Sequence, residues 1–125
     1  MIWEVTDEQN NRVIEASEWI PLSSYKTQLE ERAGVYIFTD DDYDVKYIGK
    51  AGAGRMVVEN KTKQEKQEVG KFFFEVYSAL RRKKDTGATQ VKALYTNSDD
   101  VALNYENELI EKYNPPNNGI DLLKS

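Results

Sequence analysis

The chain has 125 residues, a length suited to one domain that buries about two-thirds of its unfolded surface. It contains no cysteine and no histidine, which excludes disulfides, thiolate metal sites, and imidazole as ligand or general base. Any bound metal must then be held by oxygen, as magnesium and manganese are.

The net charge of −5 is unevenly placed: −8 over residues 1–45, +7 over 46–93 and −4 over 94–125. A basic middle between acidic flanks suits phosphate contact or a solvated helix face. Residues 1–7 lack a basic region followed by an apolar one, and no apolar stretch approaches ~18 residues, so neither a secretory leader nor a membrane span is expected. A cytoplasmic chain is the default expectation.

Ile2-Trp3-Glu4-Val5 and Arg12-Val13-Ile14 flank Asn10-Asn11, the pattern of a short hairpin. Ser23 or Ser24 precedes a short helix over 25–32. Gly34–Thr39 is β-branched and aromatic and reads as a strand. Asp40–Asp44 is a polar turn without the calcium-loop pattern, and Val45–Gly49 completes an antiparallel hairpin.

Lys50–Gly54 is a Gly-rich turn ending at Arg55, without the Gly-Lys-Ser/Thr ending of a phosphate-binding loop. A helix is expected over 62–84, with Val69, Phe72, Phe73, Val76, Tyr77 and Leu80 on a core-facing stripe. Arg81-Arg82-Lys83-Lys84 closes it, at the end where cations suit the helix dipole. Gln90–Thr96 alternates as a third strand. Asn97-Ser98-Asp99 caps a helix over 101–113 that turns Ala102, Tyr105, Leu109 and Ile110 inward, and Pro115-Pro116 forbids its continuation. The expected fold is α+β: a small central mixed or antiparallel sheet of about three strands with helices packed on it.

Two distant fragments carry a family resemblance. Gly34-Val35-Tyr36 is followed by Tyr47-Ile48-Gly49-Lys50-Ala51 and Arg55; Glu106-x-x-Leu109-Ile110-x-x-Tyr113-x-Pro115-x-x-Asn118 comes later. Together, in this order, they resemble the GIY-YIG nuclease superfamily, closest to the N-terminal domain of the bacterial excision-repair nuclease. The resemblance covers residues 34–118, leaving 1–33 as an N-terminal extension and 119–125 as a short tail.

It implies hydrolysis of DNA phosphodiester bonds with one divalent metal, Mg2+ or Mn2+. Tyr36 and Tyr47 would be the active-site tyrosines, Glu106 the carboxylate on the metal, and Arg55 the contact to the scissile phosphate. Asn118 would brace the site, Gly49 would allow close backbone approach, and Lys50 would lie beside the phosphate. In the family the arginine usually lies further on, in the first turn of a helix, and a histidine often follows it. Here Arg55 comes six residues after Gly49 and histidine is absent.

The chemistry agrees with these assignments. Phosphodiester hydrolysis needs a deprotonated water, neutralised phosphoryl oxygens and help for the leaving group. Without histidine a tyrosine must take the proton, and Lys50, Arg55 and a metal would each favour its phenolate. Lys61, Lys63, Arg81, Arg82, Lys83 and Lys84 are the expected phosphate contacts, positioning DNA without reading bases. A catalytic module this small usually acts with a homodimer mate or a specificity partner. The alternative from another class is a catalytically silent GIY-YIG-fold module that binds nucleic acid or protein; the acidic composition and the altered arginine spacing favour it.

Overall fold

The computed structural model of the chain describes residues 12–60, 65–82 and 87–118. In chain order the elements are β1 (Val13–Ala16), β2 (Ile20–Pro21), a 3-10 turn (Leu22–Ser24), α1 (Tyr25–Gln28), β3 (Gly34–Thr39) and β4 (Val45–Ala51). There follow β5 (Arg55–Asn60), β6 (Glu65–Gly70), α2 (Lys71–Arg82), β7 (Gln90–Thr96) and α3 (Asp99–Tyr113). The α+β architecture matches the sequence expectation. The main sheet has five strands rather than three, because β1 and β2 both pair with the outer side of β7.

β3 lies at the centre, antiparallel to both β4 and β7. All six of its residues are buried, as a continuous apolar run requires when both faces of a strand are covered. One face holds Tyr36, Phe38, Tyr47 and Ala51 beneath Phe72, Val76 and Ala79 of α2. The other holds Val35, Ile37, Ile48 and Leu94 beneath Ala102, Tyr105, Leu109 and Ile110 of α3, the four positions expected inward. Period-2 alternation on β4 thus points Tyr47 and Gly49 toward α2, and Ile48 and Lys50 toward α3.

Three local expectations are corrected. The helix expected from residue 62 begins at Lys71, and β5 and β6 form a separate two-stranded hairpin running from Arg55↔Gly70 to Asn60↔Glu65. Val57 and Val58 favour strand, and Gly70 is a poor helix former, so the start moves past it. The Glu31 carboxylate then accepts the Phe72 N–H at 3.2 Å in the first turn of α2, where an anion suits the helix dipole. It occupies the space a Cβ on Gly70 would need.

Second, Tyr77 is exposed, and Ala79 fills the core position instead. Third, the helix expected over 25–32 is only Tyr25–Gln28, and Leu29 ends it in extended conformation without a side-chain cap bond from Ser24. The expected Ile2–Val5 strand lies outside the described residues, while Val13–Ala16 pairs with β7. Ser98 caps α3 as expected, its hydroxyl accepting from the Val101 N–H at 3.2 Å.

Candidate active site

β4 is the outer strand of the main sheet, and its unpaired edge gathers the site. In an antiparallel ladder alternate peptide groups point away from the neighbour, here at Lys46, Ile48 and Lys50. A bare row of this kind invites pairing with another chain unless it is covered. Asn117 Nδ2 donates to the Lys46 carbonyl at 2.8 Å. Asn118 meets both halves of Ile48: its Oδ1 accepts the N–H at 2.9 Å and its Nδ2 donates to the C=O at 2.8 Å. The Lys50 N–H donates to the Glu106 carboxylate. The two asparagines follow α3, which the left-handed Asn114 ends at φ 44°; Asn118 is buried.

On the α2 face Tyr36 stands opposite Gly49. Its ring lies across that glycine so closely that a Cβ there would overlap Cζ and Oη. The glycine of the second fragment is therefore required by the tyrosine of the first. Tyr36 Oη donates to the carbonyl of Glu75 on α2 at 3.4 Å. Tyr36, Phe38, Tyr47 and Phe72 form one aromatic cluster, with the Tyr36 and Tyr47 centroids 6.3 Å apart. Tyr36 is 1% exposed and Tyr47 8%.

Of the acids in mid-α3, Glu106 is half-buried, whereas Glu108 and Glu111 are exposed. Burial raises the Glu106 pKa; the Lys50 charge and amide oppose that, and the nearby Glu75 carboxylate reinforces it. Glu108 instead pairs with Arg12, whose hydrogen bond lowers its pKa. The fold therefore turns Glu106, and not its neighbours, toward β4.

The Gly-rich loop is tied to the start of α3. Asp99 Oδ1 accepts the Ala53 N–H at 3.0 Å, and a Cβ on Gly52 would sit 2.8 Å from Asp99 Oδ2. Gly54 has φ +86°, in the left-handed region, and its carbonyl accepts the Lys71 N–H at 2.9 Å. Arg55 thus opens β5 at the base of the hairpin, next to the start of α2 and not in its first turn.

The structure brings Tyr36, Tyr47, Gly49, Lys50, Glu106 and Asn118 together around β4. The side chains of Arg55 and Arg82 lie outside what is described, as do residues Lys61, Lys63, Lys83 and Lys84. Arg81 is exposed and donates to Tyr77 Oη at 3.2 Å. Sequence reasoning missed Glu75, Asp99 and Asn117. Glu75 left one trace, as the single acid in an otherwise apolar and basic α2.

Among the described residues no group of three or more carboxylates could enclose a metal ion. The donor set still fits a hard divalent cation, since magnesium is commonly held by one or two carboxylates plus waters and substrate phosphate. A cation there would offset the mutual repulsion of Glu106 and Glu75.

A family model, the UvrC-like GIY-YIG domain, matches residues 32–119. No curated protein and no solved structure matches the chain. The matched span takes in both fragments, β3 through α3, and the turn bearing Asn118.

Proposed function

The chain belongs to the family of UvrC-like GIY-YIG domains, and we propose that it is a divalent-metal-dependent endonuclease that hydrolyses DNA phosphodiester bonds in the cytoplasm. The observation that carries this reading is the meeting of Tyr36, Lys50 and Glu106 at the Gly49–Lys50 end of β4. The catalytic unit is taken as 34–118, with 1–33 an extension and 119–125 a tail.

Glu106, with Glu75 beside it, would hold Mg2+ or Mn2+. When bound, the ion supplies charge neutralisation to the phosphoryl and leaving oxygens. The Lys50 ammonium stabilises charge growing on a non-bridging oxygen, and Arg55 holds the phosphate. Tyr36 takes the proton of the attacking water, with Tyr47 the second candidate; the Lys50 charge favours the phenolate this role requires. Asn118 fixes the Ile48 peptide, so the strand carrying Gly49 and Lys50 keeps its place. Lys61, Lys63, Arg81, Arg82, Lys83 and Lys84 position DNA through phosphates. A homodimer mate or a specificity partner supplies site preference.

The test is incubation of supercoiled plasmid with the purified protein in magnesium, manganese or EDTA. Nicking or linearisation in either metal and none in EDTA is expected; intact plasmid in all three refutes the enzyme. One observation favours the silent-module reading, namely the depth of both tyrosines in the aromatic cluster. On that reading the plasmid stays intact while DNA or a protein partner is still bound.

A further inference from the structure

We propose that Lys26 of α1, with Tyr77 and Arg81 of α2, forms a contact site for the sugar–phosphate backbone of DNA. The inference rests on the nuclease reading and deepens it, because it brings the acidic N-terminal region into the substrate path.

The site is built on Tyr77, whose helical spacing suits the core but which is 42% exposed. Lys26 Nζ lies 5.9 Å from its ring centroid, and the Arg81 guanidinium 5.7 Å. Arg81 is further held by its hydrogen bond to the Tyr77 hydroxyl, and Lys26 by the ring of Tyr25, also at 5.9 Å. Two cations from different elements are thus fixed at one exposed ring.

Neither has a carboxylate within ion-pair distance among the described residues. In contrast, Arg12, Arg32 and Lys46 are each paired with an acid. A helix C-terminus accounts for Arg81, but it gives no reason for Lys26 to be brought beside it. Like charges held together on a protein of net charge −5 are complementary to an anion that spans both.

The dimensions suit a nucleic-acid strand. The two cations are at most about 12 Å apart, the span of roughly three or four phosphates at about 3.4 Å of axis each. Arg81 lies six residues beyond Glu75, about 9 Å along the helix axis, and the Glu75 carbonyl holds the Tyr36 hydroxyl. A strand engaged at Gly49–Lys50 therefore has these cations within about one helical turn of DNA. Phosphate contact of this kind positions the strand without reading bases.

The test compares wild type with the double variant Lys26→Gln/Arg81→Gln, binding a labelled duplex in EDTA over a range of salt. The slope of log affinity against log salt should fall by roughly 0.9 for each phosphate no longer neutralised, about 1.8 in all. The charge-preserving Lys26→Arg/Arg81→Lys should keep the wild-type slope. An unchanged slope in the Gln variant, with an unchanged unfolding midpoint, overturns the site, as does a wild type that binds no duplex. Plasmid cleavage in magnesium is scored alongside. A wild type that binds with the predicted slope change yet never cuts refutes the nuclease reading and leaves the contact site standing. One that cuts with an unaffected slope does the reverse.

Discussion

Replacing Asn118 with alanine removes both partners of one peptide group on the edge of β4. The bonds at stake are short, 2.9 and 2.8 Å, and both residues are buried, Asn118 at 6% exposure and Ile48 at 0%. A buried polar group left unsatisfied costs about 1–3 kcal/mol. Two of them give roughly 2–6 kcal/mol, a large share of the 5–15 kcal/mol that stabilises a typical domain. At about 4 °C per kcal/mol for a chain of this size, the melting midpoint should drop roughly 10–20 °C.

Asn118→Asp sharpens the test. It keeps an acceptor for the Ile48 N–H but sets a carboxylate oxygen against the Ile48 carbonyl. The variant should be at least as unstable near neutral pH and recover in acid, where the protonated side chain can donate again. Urea unfolding with an unchanged m-value is the assay. A loss below about 1 kcal/mol for Asn118→Ala would show that water replaces the side chain and that it braces nothing.

Tyr36→Phe keeps the ring and loses one 3.4 Å bond, so stability should change by about 1 kcal/mol or less, while cleavage falls by roughly 10²–10⁴. Full activity in both Tyr36→Phe and Tyr47→Phe would end the tyrosine-base mechanism. Gly49→Ala forces a methyl into the Tyr36 ring and should cost about 1–3 kcal/mol by overpacking; a midpoint within error of wild type would mean the ring moves aside freely. Glu106→Gln should stabilise the metal-free protein at neutral pH. Burial raises the Glu106 pKa in the folded state, so the native protein binds protons more readily, and stability falls as pH rises above the ordinary glutamate range. The midpoint advantage of the variant should shrink as pH drops below about 4, and a gap that does not narrow contradicts the buried-carboxylate assignment.

The elements that hold the site were legible because their patterns were long and single-valued. Gly34–Thr39 and Val45–Gly49 could only be strands, and the inward residues of α3 fixed a register that turned Glu106 to the sheet and left Glu108 out. The pairing of Tyr36 with Gly49 was implicit in the hairpin register, though not the reason for it, which is a ring lying on a bare Cα. Other features carried no such signal. Val69, Phe72 and Val76 keep helical spacing across Gly70, so the hairpin ahead of α2 looked like helix. β1 and β2 are too short, four and two residues, to show a period. Glu75, Asp99 and Asn117 act through main-chain groups distant in sequence, and no local pattern marks such contacts.

The assignment of Glu106 as the carboxylate of the reaction is tested most directly by cleavage with Glu106→Ala and Glu108→Ala, measured side by side at equal DNA occupancy. No detectable cutting is expected from Glu106→Ala, with duplex binding retained, and near-wild-type cutting from Glu108→Ala, which loses only a surface pair with Arg12. Cleavage that survives in Glu106→Ala, or that disappears in Glu108→Ala instead, would contradict it.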